Sequence, residues 1–172
     1  MNMKGFISLA VLGAIVVGVS GCDEKNSEQI EEPYGKWARF HEKDPITDAD
    51  RVSAVLNSEP VSDGLAVPAE LHVRCSDGNL EVYISWNRYI GRVHDIDSRI
   101  DDMQHEPNRW DASTDGKSSF YPFVGPTYLE RLNSSARYVA RVETFTGSSI
   151  TAAFNTSSFS GEAGPVIAFC GK

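Results

Sequence analysis

The sequence predicts a mainly β domain, a single antiparallel β-sandwich or barrel-like fold with one or two short helices, placed after a signal peptide and a disordered tether. Three observations carry this. Two alternating apolar runs flank Asp77-Gly78, a dipeptide suited to the tight turn of a hairpin. Two further runs flank Thr146-Gly147-Ser148. Turn residues recur at short spacing while helical periodicity is scarce, a pattern that favours short antiparallel strands. About 150 residues follow the signal, enough for one core and too few for two.

Taken in order, the folded part begins near Trp37, so the β domain spans 37–172. Arg51–Leu56 has the alternation and β-branched content of a strand. Leu71, Val73 and Cys75 point one way, with His72 and Arg74 opposite. After the turn, Leu80, Val82, Ile84 and Trp86 share one face, and Glu81, Tyr83 and Ser85 share the other. His94–Asp101 reads as a strand with Ile96 and Ile100 on one side. Pro126–Leu132 reads as a short helix with Pro126 in its first turn. Arg137–Phe145 and Ile150–Phe154 form the second hairpin. Gly161–Phe169 is open between irregular chain and a last helical turn that carries Cys170 back towards the first hairpin.

The N-terminus sets the compartment. Lys4 precedes an uncharged apolar run, Phe6–Val19, ended by Val19-Ser20-Gly21-Cys22. The run is short for a membrane span and reads as a secretory signal. With Cys22 after two small residues it resembles a bacterial lipoprotein signal, which implies that residues 1–21 are removed and Cys22 is acylated. The alternative is an ordinary signal or an uncleaved anchor. Asp23 behind the cysteine is similar to an enterobacterial inner-membrane retention signal, so the expectation is a periplasm-facing, lipid-anchored chain favouring the inner membrane. Residues 22–36, rich in acids with little to bury, read as a disordered acidic tether.

Losing residues 1–21 removes one of 16 basic residues and none of 24 acids, leaving 15 − 24 = −9. That charge, without a basic run, argues against nucleic acid and anionic lipid, and leaves membrane contact to the acyl chains. With Cys22 acylated, Cys75 and Cys170 remain as an even pair in a compartment that permits disulfides. The alternative is two buried thiols. Nothing like C-x-x-C is present, so the pair reads as structural.

Several fragments resemble, in order and spacing, the type VI secretion-associated VasI/TagO family. They are Trp37 with Asp44-Pro45-Ile46-Thr47-Asp48, then Leu71-His-Val-Arg-Cys75-Ser-Asp-Gly with Val82-Tyr-Ile. Arg99-Ile100-Asp101 and Trp110-Asp-Ala-Ser113-Thr-Asp115 follow, and Phe154 and Cys170 close the series. The resemblance covers most of 37–170 and implies an envelope accessory protein without implying a reaction. The chain departs from it where Phe154–Gly161 precedes the last cysteine, in place of a glycine-led terminal helix.

Candidate chemistry divides as follows. His41, His72, His94 and His105 show no metal-ligand spacing. Asp95, Asp97, Asp101 and Asp102 lack a calcium-loop pattern, and Arg92 and Arg99 are near enough in sequence to pair with them. Asp44, Asp48 and Asp50 fit turn and cap roles. Ser113 with Asp115 has no adjacent histidine base and fits a loop brace. Trp110 fits a core plug with its indole N–H bonded. Trp86 reads as core, while Tyr83, Tyr89 and Tyr121 are open between contact residues for a partner and ordinary scattered exposed aromatics. The chemistry therefore favours a non-catalytic lipoprotein that binds an envelope protein, without metal or cofactor. The alternatives are an inhibitor or exclusion lipoprotein directed at an envelope enzyme, and a cell-wall hydrolase using Ser113 or Asp97 with Asp101.

Overall fold

The computed structural model describes residues 35–59 and 67–171. The signal, Cys22, Asp23 and the tether up to residue 34 lie outside the described residues. Nine strands, β1 (Trp37–Lys43), β2 (Asp50–Asn57), β3 (Glu70–Ser76), β4 (Asn79–Ser85), β5 (His94–Ile100), β6 (Glu106–Ala112), β7 (Ser118–Phe120), β8 (Arg137–Glu143) and β9 (Ser149–Asn155), form one curled sheet. Its order is β1-β2-β3-β4-β7-β6-β5-β8-β9, and every pairing is antiparallel. Helix α1 (Pro126–Asn133) carries the chain from β7 to β8 on the far side of β5. Helix α2 (Phe159–Cys170) follows all nine strands.

Turn chemistry sets both hairpins. Asp77 and Gly78 take φ of 51° and 75°, the pair of left-handed conformations a two-residue turn needs to match strand twist. Between β8 and β9 the N–H of Thr144 donates to Ser148 O at 2.7 Å around Phe145-Thr146-Gly147, with Gly147 at φ 80°. This is a three-residue loop closed by a left-handed glycine. It corrects one expectation: Phe145 lies in the turn, exposed, and not in the strand.

The inner face forms the core. On β3, Leu71, Val73 and Cys75 are buried and alternate with half-buried Glu70, His72, Arg74 and Ser76. Trp86, Trp110, Tyr138, Phe154 and Phe159 are the largest fully buried side chains. The sheet's β1–β4 half is roofed by α2, whose Phe159, Ala163 and Val166 are buried on one stripe. Phe159 meets Trp37 edge-on at 6.0 Å, Glu162 pairs with Arg39 at 3.5 Å and Phe169 contacts His41 at 6.2 Å. Cys170 at the helix end bonds Cys75, with Cα atoms 5.4 Å apart. The disulfide therefore ties the helix C-terminus to the sheet it covers.

Several elements go beyond the sequence reading. The terminal helix is a full 12 residues, although Gly161, Gly164 and Pro165 are poor helix formers. Pro165 and Gly161, the residue whose carbonyl loses its partner, are both solvent-exposed, so the missing bond is not buried. Burial of the Phe159–Val166 stripe, roughly 1.5–3 kcal/mol for each large side chain, outweighs propensity. Strands β6 and β7 carry no alternating pattern, since on β6 Trp110 alone is buried and β7 has three residues.

Candidate functional site

The residues singled out by the sequence occupy three places on this sheet. Ser113 and Asp115 lie in the turn between β6 and β7. The Ser113 hydroxyl donates to Asp115 Oδ1 at 2.6 Å and accepts the N–H groups of Lys117 and Ser118 at 3.1 and 2.9 Å. Asp115 Oδ1 also accepts Lys117 N–H at 3.1 Å. The Ser113 hydroxyl, with the Lys117 amide behind it, holds the Asp115 carboxyl below its usual range. Both side chains are thus engaged by the turn they brace, and the sole carboxylate that Ser113 meets among the described residues is held ionised, a weak base tied to Lys117 N–H.

Arg99 and Asp101 end β5. Asp101 takes φ 47°, and its Oδ1 accepts Ala136 and Arg137 N–H at 3.0 and 2.7 Å while its own N–H donates to Arg137 O. It pins the start of β8 against β5. Arg99 is exposed, opposite Val139, and makes no ion pair among the described residues.

The acidic run of β5 is neutralised, but by partners other than those expected. Asp95 takes a two-pronged pair from Arg109 at 2.8 and 3.0 Å, and Asp97 takes Arg141 at 2.5 Å. Arg92 and Arg99 are bypassed because cross-strand neighbours on β6 and β8 face these carboxylates directly. Arg109 holds the Asp95 carboxyl below its ordinary value. A hollow of ≈ 360 Å³ opens over these pairs. Asp97 and Asp101 answer to separate partners, an arginine and two backbone amides, and share no bond. Among the described residues no three His, Cys, Asp or Glu side chains converge on a point.

Trp110 is a core plug at 2 % exposure, as expected, but its indole N–H finds no acceptor among the described residues. Its ring meets Tyr121 edge-on at 5.2 Å, and Tyr121 stacks on Tyr128 at 3.8 Å. Aromatic packing takes the place of the hydrogen bond. Trp86 donates its indole N–H to Ser119 Oγ at 2.9 Å, Ser119 meets His94 Nδ1 at 2.9 Å, and His94 Nε2 reaches Gly91 O at 3.1 Å. These side chains are fully buried. Burial pushes the His94 imidazole below its usual pKa, so the ring accepts at Nδ1 and donates at Nε2.

Tyr83 is neither a free contact residue nor an ordinary exposed aromatic. It lies on the outer face, but His72 stacks on one side at 4.4 Å and Phe120 on the other at 4.6 Å, with the Arg74 guanidinium 5.0 Å from the ring. Glu70 binds His72 at 2.9 Å, and Arg74 binds Glu81 at 2.6 Å. Cross-strand neighbours, invisible in a linear pattern, enclose the ring. The groove beside it, ≈ 510 Å³, runs along the outer face past Phe40, Val55 and His72. Tyr89 remains exposed.

A crystal structure of invasion associated protein B from Bartonella henselae superposes on this chain with a TM-score of 0.55 at 13% identity, covering 82% of this chain and 98% of that one. At that identity the likeness is one of fold. No family model matches the chain, and no curated protein matches it by sequence.

Proposed function

We propose that this chain is a periplasm-facing, lipid-anchored envelope protein that acts by binding a protein partner, in the manner its VasI/TagO-like motifs imply, as an accessory to type VI secretion. One observation carries the non-catalytic reading. The groups that a hydrolase would need, Ser113, Asp115, Asp97 and Asp101, are each engaged in bonds that hold a turn or a strand register. A nucleophile or general acid must instead be left facing a substrate.

Two measurements test this. Purified protein is assayed on peptidoglycan beside Ser113→Ala and Asp97→Ala; turnover abolished by either substitution overturns the binding reading. In-cell crosslinking followed by reconstitution with the purified captured protein should give a defined complex. Sheath or baseplate genes beside the coding sequence support the secretion role. Prophage genes there, with capture of an envelope enzyme, would instead identify an inhibitor.

A further inference from the structure

The strand end at which the tether enters is also the end that carries a basic and aromatic loop platform. Residue pairing fixes this. Trp37, the first residue of β1, sits opposite Leu56, which faces Leu71, which faces Ile84 near the end of β4. Ser85 pairs with Ser118, so the Ser113–Lys117 turn lies at the same end. His94 opens β5 beside Trp110, and Glu143 closes β8 beside Ser149, which adds the loops 86–93 and 144–148.

Those three loops are knitted together. Trp86 N–H donates to Lys117 O, Ile90 N–H to Gly116 O and Phe145 N–H to Ile90 O, each at 2.9 Å. The rings of Tyr89 and Phe145 lie 5.2 Å apart. Gly116, at φ 67°, leaves no room for a Cβ, which would fall 2.4 Å from Gly91 O and 2.6 Å from the Tyr89 ring. The platform is therefore a built surface, buttressed by the turn that Ser113 and Asp115 brace.

What it displays is unusual for an acidic chain. Tyr89, Val93 and Phe145 are 48%, 60% and 67% exposed. Arg88 and Arg92 are exposed among them and make no ion pair among the described residues. Exposed Lys117 adds a third positive charge, Asp115 and Glu143 are the contrary charges, and Asp95, which borders the same shallow hollow of ≈ 410 Å³ as Glu143 and Phe145, is paired with Arg109. Elsewhere every arginine but Arg99 meets an acid. Exposed aromatics mixed with unpaired arginines suit the headgroup region of an anionic bilayer, where rings sit at the interface and guanidinium groups reach phosphates.

We infer that this platform docks onto the anionic lipid surface to which the chain is anchored, seating the domain with its first strand end down. The inference rests on the anchor proposed above. Cys22 and Gly35 are 13 residues apart (35 − 22), a contour of at most about 45 Å. That segment joins the domain at the platform end, and the opposite end carries Ile46 and Met103. At the platform end Arg88, Arg92 and Lys117 outnumber Asp115 and Glu143 by one, in a chain whose overall charge is negative.

The test uses full-length protein purified from membranes and reconstituted in vesicles of phosphatidylethanolamine and phosphatidylglycerol containing labelled phospholipid. A benzophenone amino acid is placed in turn at 93, 145, 46 and 103. Docking gives labelled lipid adducts at 93 and 145 and none at 46 or 103. Arg88→Glu with Arg92→Glu should lower adducts at 145 by roughly tenfold or more, as should replacing phosphatidylglycerol by phosphatidylcholine. Equal adducts at 103 and 145, or adducts at 145 to protein only, overturn the inference, the latter marking a protein-docking face. Intact mass on the same sample reports acylation of Cys22 independently, so a failed anchor and a failed docking face are told apart.

Discussion

Breaking the Cys75–Cys170 bond should cost this domain about as much as truncating one of its largest buried side chains. The two cysteines are separated by 95 positions. Closing a loop of that size removes enough freedom from the unfolded chain to stabilise the fold by about 4.7 kcal/mol in the chain-entropy model. The native state gives the opposite pull little scope, because Phe159, Ala163 and Val166 keep α2 docked without the bond. The perturbation is Cys75→Ala with Cys170→Ala, compared with wild type under a thiol reductant, each unfolded in urea and followed by circular dichroism. Midpoint stability should fall by roughly 3–5 kcal/mol in both, and the urea slope should rise as the denatured chain expands. In thermal unfolding a loss of that size corresponds to about 10–15 °C for a domain of this length. Agreement between the reduced protein and the double alanine variant would assign the effect to the covalent link and not to sulfur packing. A loss below about 1 kcal/mol with an unchanged slope would refute the reasoning, since it would mean the unfolded chain gains nothing from the cut.

Three further outcomes follow from the loops and the buried histidine. His94 is held neutral by burial, with its pKa below the ordinary 6.5; the unfolded chain therefore binds the proton first, so stability present above that value should be lost as pH falls beneath it. Acid titration of unfolding should show this loss in wild type and a weaker dependence in His94→Gln. Gly116→Ala places a Cβ against Gly91 O and the Tyr89 ring at a positive φ, so it should destabilise by about 2 kcal/mol or more and alter protease cutting within 86–93. Ser113→Ala removes the acceptor for two backbone N–H groups; it should lower stability by about 1 kcal/mol while Ser113→Thr restores most of it, a pattern that stability measurements on the purified variants would check.

Much of the sheet was legible because its turns announce themselves. Asp77-Gly78 and Gly147 need left-handed backbone, and the alternation on either side set both hairpins to the correct face. The Ser113–Asp115 pair was readable as a local brace because short polar side chains bond nearby amides, whereas Asp101, read as part of an arginine-paired acidic run, binds amides 35 and 36 positions away. What stayed hidden depends on partners remote in the chain. The salt bridges of Asp95 and Asp97 come from β6 and β8, 14 and 44 positions away. The enclosure of Tyr83 needs His72 and Phe120 on flanking strands. Helix α2 contradicts its own glycines and proline, and only the apolar sheet beneath it explains why it forms. The loop platform combines residues near 88, 116 and 145, so no window of sequence contains it.

The position of α2 also dictates when the domain can finish folding. Every strand that the helix covers is synthesised before residue 159, so the apolar inner faces of β1–β4 exist for a time without their roof. Leu71, Val73 and Val82 would then face water, and Cys75 would wait as a lone thiol until Cys170 arrives. The same delay makes truncation before Phe159 severe: it would leave a sheet with one uncovered apolar side, prone to pair with whatever chain is nearest.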